Sequence, residues 1–456
     1  MQDIFTALDL APDYQTIGNE SFNSRFAVTD LATASIGAFG VALAGLMEQQ
    51  GFAAPQKIEV VSRLASLWFG QSINPIDWEM PPLWNAISGD YKCVDGWIKL
   101  HTNLPHHRKA ALEVLGCVEV RETVATRVSQ WKADELEAAV VKAGGVAAAL
   151  RSHADWQAHP QGKAVAEEPL IAWGAPRTGN LRAIPTTRER PLAGLRVLDL
   201  TRVLAGPVAT RTLAGFGANV LRVDPPNWEE ANVIPDVTLG KRCCHLDLKT
   251  AEGRTAFERL LSTADIFIHG YRPDALERLG FDEHTRAALA PNLIEICLDA
   301  YGWSGPWGMR RGFDSLVQMS CGIAHAGMEW ADAEQPTPLP VQALDHATGY
   351  LMAAAALRAI TKASKGEGLT NAKLSLARTA HLLMPHQQTE QGTITLPPKP
   401  IDYAKEIEPT IWGNSQRLNP PLVIEGTPMA WDGPAVELGS AQAEWGDTTP
   451  MNSVPA

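Results

Sequence analysis

Small and apolar residues fill positions 26–49, an Ala-, Gly- and Leu-rich stretch that predicts one long helix able to pack closely on its neighbours. The pattern changes over Asp90-Tyr-Lys-Cys-Val-Asp-Gly-Trp-Ile-Lys-Leu100, where Asp95-Gly96 lies between two alternating runs and predicts a tight hairpin. Helical spacing returns near 107–115 and 132–143 and stops at Gly144-Gly145. Residues 167–190, rich in Pro, Gly, Arg and Thr, show no period and read as a connector. Beyond it, short apolar strands at 195–200, 219–224, 265–268 and 293–298 alternate with helical stretches at 208–216, 251–262 and 282–290. That alternation predicts βαβ units and a mostly parallel sheet. From about Pro385 the chain is Pro-rich and weakly patterned, more a wrapping tail than a domain.

The long helix has a counterpart. Residues 30–67 and 345–382 align without a gap at an offset of 315, with Asp30/Asp345, Ala32/Ala347, Thr33/Thr348, Ala38/Ala353, Ala44/Ala359, Arg63/Arg378 and Ala65/Ala380 coinciding. Each copy begins with an aspartate, continues as a small-residue helix and reaches an apolar run. The expected division is an N-terminal helical segment (1–72, a partial repeat of 340–385), a small α/β domain (73–166), a linker (167–190), a Rossmann-like domain carrying the second helix (191–385) and the tail (386–456). The fold class is α/β, with a doubly wound, mostly parallel sheet and a smaller α/β domain.

Composition narrows the function. A formal net charge of −12 with no basic stripe argues against a nucleic-acid partner. The cations do gather in the second half, at Arg202, Lys241-Arg242, Lys249, Arg272, Arg278 and Arg310-Arg311, enough for a phosphorylated small ligand. No apolar run is read as reaching the roughly 18 residues of a membrane span, and Met1-Gln-Asp-Ile-Phe lacks the features of an export signal. Six cysteines without C-x-x-C spacing suit reduced thiols in a cytoplasm, with no metal site expected.

A dinucleotide fold is the first idea for strand 195–200 and the turn after it. The turn, Thr201-Arg-Val-Leu-Ala-Gly-Pro207, holds one Gly where the phosphate-binding fingerprint needs three, and Pro207 removes an N–H.

A different match is extensive. Arg190-Pro-Leu-Ala-Gly-Leu-Arg-Val-Leu-Asp-Leu-Thr-Arg-Val-Leu-Ala-Gly-Pro207, Gly240-Lys-Arg-Cys-Cys-His-Leu-Asp-Leu-Lys249, Tyr271-Arg-Pro-Asp-Ala-Leu-Glu-Arg-Leu-Gly280, Tyr301-Gly-Trp-Ser-Gly-Pro306, Arg311-Gly-Phe-Asp-Ser-Leu-Val-Gln318 and Ala343-Leu-Asp-His-Ala-Thr-Gly349 occur in order. Together they resemble the class III CoA-transferases, the carnitine and formyl-CoA transferase family (CaiB/BaiF type). Asp95-Gly-Trp-Ile-Lys-Leu100 and His159-Pro-Gln161 resemble that family's downstream portion placed upstream, so the chain reads as parts of two copies joined.

From local sequence alone Asp345 is a candidate helix N-cap, a role Asp favours. The resemblance implies instead the nucleophile of an acyl-CoA:carboxylate CoA-transferase, attacking a thioester through a mixed anhydride and an aspartyl-CoA thioester. It implies coenzyme A contacts at Leu204, Ala205, Leu246, Asp247, Leu248, Lys249, Gly270, Tyr271, Arg272, Arg278, Arg311, Gly312, Phe313 and Asp314. It also implies a homodimer, an acyl-CoA donor and a carboxylate acceptor. Asp30, with no βαβ half before it, reads as a structural relic.

Three departures shape the expectation. The family's racemase branch carries a His just before the aspartate matched by Asp314, and here that place holds Phe313, favouring transferase over racemase or isomerase. The glycine loop of formyl-CoA transferases has no counterpart near 71–95, and Gly439-Ser-Ala-Gln stands where the family often has Gly-Glu-His-Thr. These last two motivate a second alternative, a catalytically impaired CoA-ester-binding homologue.

Overall fold

The computed structural model describes residues 1–55, 57–389 and 396–446. Its centre is a seven-stranded sheet built from β1 (Ala172–Trp173), β2 (Arg196–Leu200), β3 (Asn219–Asp224), β4 (Arg242–His245), β5 (Ile266–His269), β6 (Ile294–Asp299) and β7 (Ala372–Ser375). The spatial order is β4-β3-β2-β5-β6-β7-β1. Every neighbouring pair is parallel except the edge pair β7–β1. Strands such as Arg196-Val-Leu-Asp-Leu200 are apolar with little alternation because helices cover both faces. The strand order turns back between β2 and β5, the place where doubly wound sheets open a crevice beyond their carboxyl ends.

Four helices matter most for the site: α1 (Val28–Gln49), α2 (Ala205–Ala214), α3 (Asp314–Ser320) and α4 (Ala343–Ser364). The sequence repeat is a structural repeat. α1 and α4 each run 22 residues and start at the same offset. Their N-caps share an unusual backbone, φ −73° and ψ 65° at Ala27, φ −76° and ψ 66° at Gln342. Both helices lead through a short strand, Ile58–Val61 or β7, into another helix. The two long helices pack on each other in the core, with Gly and Ala permitting close approach.

The hairpin expected at 90–103 is present as Gly89–Lys92 and Trp97–Leu100, joined by Ala147–Ala149 into an antiparallel sheet. Helices Pro105–Leu115, Arg121–Val128 and Ala133–Lys142 cover it around a separate apolar core.

Three expectations need correction. The connector 167–190 contains edge strand β1, too short to register as a period. The tail holds a hairpin, Tyr403–Thr410 and Gly413–Leu418, which pairs with Ile73–Pro75, and a strand, Leu422–Ile424, which pairs with Ile58–Val61. Residues 390–395 and 447–456 of the expected tail lie outside the described residues. Helix α1 is long and apolar enough to cross a membrane, with mean hydropathy 1.5 over its best window, contrary to the reading of no such run; 83% of that window is buried inside the fold.

Candidate functional site

The turn after β2 is fixed from below. Buried Asp199 accepts hydrogen bonds from the Thr201 amide (2.9 Å) and hydroxyl (2.6 Å) on one oxygen. Its other oxygen takes Thr210 Oγ1 (2.5 Å) and Lys241 Nζ (3.1 Å). Val203 then adopts φ 63°, a left-handed conformation costly for a β-branched residue. Its N–H donates to Glu230 (2.8 Å), which is held in turn by Arg222 (2.8 Å). Gly206 has no alternative, because a Cβ there would lie 2.2 Å from Thr201 Cγ2. These constraints aim the N-terminus of α2 at one spot.

Asp345 occupies that spot. It lies in the first turn of α4, 8% exposed, and accepts a hydrogen bond from the Ala205 N–H. Gly349, one turn on, lets α4 approach α2; a Cβ at 349 would sit 2.4 Å from the Ala205 carbonyl oxygen. Beneath Asp345 is Asp314, fully buried, which accepts the Asp345 N–H (2.9 Å), the Leu344 N–H and the Gln318 side-chain amide. Gln318 Oε1 accepts the Leu339 N–H (2.7 Å), closing the network.

The two carboxyls oppose each other's ionisation. Burial pushes Asp314 up to about 6, against the pull of its hydrogen bonds. Burial first, then the negative Asp314, push Asp345 well above the usual carboxylate range, and the Ala205 N–H opposes them. Asp314, with its three donors, is the member that ionises first.

Asp345 opens onto a cavity of about 390 Å³ at the switch point of the sheet. Its wall includes Leu204, Ala205, Gly270, Tyr271, Arg272, Arg311, Gly312 and Phe313, eight of the positions expected from sequence. Asp314 is behind the wall, engaged with the start of α4. Leu246, Asp247, Leu248, Lys249 and Arg278 do not line it. Leu248 is buried in an apolar cluster against which Leu246 and Tyr271 pack, which ties this segment to the rim. Asp247 accepts the Lys249 N–H (3.0 Å), Lys249 is exposed, and exposed Arg278 pairs with Asp274.

Cations mark one side of the cavity. Arg202 lies between Trp228 and Tyr271 (5.3 and 5.8 Å) and pairs with Asp224 at 3.3 Å. Arg310 is committed to Glu137 (2.6 Å) and the Trp307 ring (3.9 Å). Arg272 is 3.9 Å from Asp274. Arg311 makes no ion pair among the described residues and donates only to the Gly144 carbonyl (3.3 Å). Burial and the neighbouring Arg272 guanidinium hold Arg311 below the ordinary arginine value. Two guanidiniums facing one space suit an anionic, phosphate-like ligand.

Several wall residues were not foreseen. His106 and His107 reach in from the small α/β unit, and Trp228, Asp299 and Leu376 also line the cavity. Phe313 is flanked by two imidazoles, stacked on His101 (4.0 Å between centroids) and edge-on to His107 (5.9 Å). Asp299 ends β6, and a carboxylate at the carboxyl end of a parallel strand is the signal that would have found it. Burial pushes it up to about 8, with Glu168 adding and the Gly302 N–H opposing. The pair His106-His107 carries no motif, because its role depends on tertiary contact. A separate grouping, His269, Glu295 and Cys297, brings ligating atoms within 4.8 Å of one another. There Glu295 is already held by Arg286 on both oxygens (2.6 and 2.9 Å), and burial raises the Cys297 thiol well above its usual value.

Comparison with known proteins gives a consistent picture. A family profile described as CoA-transferase family III matches residues 192–409. A probable fatty acyl-CoA transferase of Mycobacterium tuberculosis is 35% identical over 192 residues, 39% of this chain and 48% of that protein. A human succinyl-CoA:glutarate CoA-transferase is 32% identical over 195 residues, 40% of this chain and 44% of that one. The orthorhombic crystal form of the mycobacterial protein aligns with a TM-score of 0.39 at 32% identity, over 42% of this chain and 56% of that one. The chain thus spans about half the length of the curated relatives it matches. Over residues 192–409, just under half of its length, the chain is similar to the class III CoA-transferases.

Proposed function

We propose that the protein is an acyl-CoA:carboxylate CoA-transferase with Asp345 as nucleophile. The observation that carries this reading is the Asp345 carboxyl on the cavity wall, at the amino end of α2 and beside a second carboxyl. Arg272 and Arg311 suit the phosphates of coenzyme A, with Tyr271 and Phe313 along the path to Asp345. The ionised carboxylate attacks the donor thioester carbonyl; the C–S bond breaks, leaving an acyl-aspartyl anhydride and CoA thiolate. The thiolate attacks the aspartyl carbonyl and expels the donor carboxylate, giving an aspartyl-CoA thioester. An acceptor carboxylate reverses both steps, forming its own anhydride and then its own CoA thioester, and Asp345 is regenerated. The α2 terminus, with Ala205 and Gly206 amides and no N–H at Pro207, is suited to stabilise the oxyanions.

Asp30 supports the assignment by contrast. It has the same place on the repeated helix and the same preceding backbone, yet its side chain is exposed. The racemase alternative is disfavoured because His101 and His107, which touch Phe313, are pushed down by burial to about 4 and about 3, too low for an effective base. We further propose a homodimer working in the cytoplasm, where six free thiols, five of them buried, remain reduced.

The test compares Asp345→Ala with Asp30→Ala. CoA exchange between acyl-CoA and carboxylates is expected to fall by about 10³ or more in the first, with CoA still bound, and to stay near wild type in the second. Mass spectrometry after incubation with acyl-CoA is expected to show a CoA-sized adduct at Asp345. Exchange undiminished in Asp345→Ala ends the assignment. Binding without turnover over a broad panel identifies the impaired homologue, and solvent deuterium at the acyl α-carbon identifies a racemase.

A further inference from the structure

A second cavity, of about 490 Å³, lies on the other side of Leu204, which among the described residues is the one that lines both. Gln342, the N-cap of α4, His346, next after Asp345, and Ser315, next after Asp314, are on its wall. The acid pair therefore sits at the boundary between the two chambers. The rest of the second wall is largely apolar, with Phe69, Met80, Leu83, Trp84, Leu339 and Val341 prominent. The apolar surface runs to the outside, where Leu83 is 55% and Trp84 41% exposed.

The charges on this wall are already matched. Lys99, 8% exposed, pairs with Asp90 at 2.8 Å and lies 5.8 Å from the Trp84 ring centroid. Asp236 holds Arg211 (2.8 Å) and Arg417 (3.3 Å). His346 stacks on Phe69 (5.2 Å), and burial pushes it down to about 3, so it is neutral. A second carboxylate brought here with the substrate meets no free cation among the described residues of the wall, and leaving a charge unpaired in such a place is strongly unfavourable.

Resting on the transferase reading above, we propose that this chamber receives the body of the transferred acid, and that both donor and acceptor are monocarboxylic acids with an apolar or aromatic chain. A charged second carboxylate, as in succinate or glutarate, is rejected. The carboxyl end meets Asp345 past Leu204, while the CoA moiety occupies the first cavity. The size is in the range of ordinary small-ligand sites.

The experiment measures kcat/KM for CoA transfer to acetate, hexanoate, phenylacetate, succinate and glutarate, for wild type, Val341→Trp and Leu83→Arg. Wild type is expected to favour hexanoate and phenylacetate over the two dicarboxylates by about 100-fold, from the cost of an unpaired buried charge. Val341→Trp fills the chamber and is expected to lower hexanoate relative to acetate by about tenfold. Leu83→Arg places a cation at the exposed rim, where folding tolerates it, and is expected to raise glutarate relative to hexanoate. A wild-type preference for dicarboxylates, or an acid profile unmoved by both substitutions, overturns the proposal. Fluorine NMR of 4-fluorophenylacetate supplies a readout without turnover: its broadening by wild type should be reversed by hexanoate, resist glutarate, and weaken in Val341→Trp. Such binding without exchange and without an Asp345 adduct removes the transferase reading and keeps the chamber; absence of binding removes the chamber.

Discussion

Under the proposed transferase reading, Asp345 is asked for two incompatible things: to be buried beside another acid, and to carry charge when it attacks. The folded protein retains a proton there that the unfolded chain releases above about pH 4, the ordinary aspartate range. Its contribution to stability is intact below that value and is lost as pH rises toward the raised folded one. Asp345→Asn should therefore melt with wild type in acid and above it at pH 8, measured by calorimetry across pH, while losing exchange activity. Because the negative Asp314 is one cause of the shift, Asp314→Asn should lower the Asp345 pKa. The acid limb of the kcat/KM profile should then move to lower pH. The asparagine retains an oxygen for the Asp345 N–H, so the limb can be followed in a folded protein.

At the scale of elements, the approach of α2 and α4 sets the geometry. Gly349→Ala pushes a methyl group against the Ala205 carbonyl at 2.4 Å before relaxation. Overpacking of this kind costs about 1–3 kcal/mol. Exchange activity should fall more than stability requires, since the shift separates Asp345 from the Ala205 amide; denaturant unfolding and steady-state kinetics on one preparation distinguish the two. Much at this scale was legible in the sequence: the helix expected at 26–49 and found at 28–49, the Asp95-Gly96 hairpin and most strands of the sheet follow from local periodicity and turn chemistry. Hairpin strand Tyr403–Thr410 was not, because none of it is buried and it offers no alternation. Eight cavity residues were placed by motif, whereas His106, His107 and Trp228 are brought in by contacts between segments far apart in sequence. Leu246 to Lys249 met the motif and missed the cavity wall, since Leu246 and Leu248 pack in an apolar cluster beneath its rim and Lys249 is exposed.

Over the whole molecule, the tail fastens together parts that the sequence separates widely. Trp431 stacks on Trp68 (5.5 Å), and its Nε1 donates to the Arg211 carbonyl (2.9 Å). The ring fits over Gly240, where a Cβ would come within 2.4 Å. It thus joins the N-terminal segment, the sheet domain and the tail. Trp431→Ala should destabilise by about 2–4 kcal/mol, toward the lower side of aromatic truncations because the ring is only partly buried. The loss should appear in denaturant melts as one earlier transition rather than two, since all three parts lose the same clasp.

Leu204, shared by the two chambers, has a kinetic consequence for the proposed reading. Under the proposed placement of acid and CoA, a departing acid and an arriving one exchange through the second chamber while the nucleotide end stays in the first. Isotope-labelled donor acid should therefore be scrambled back into its own thioester when no acceptor is supplied, without free CoA reaching the medium.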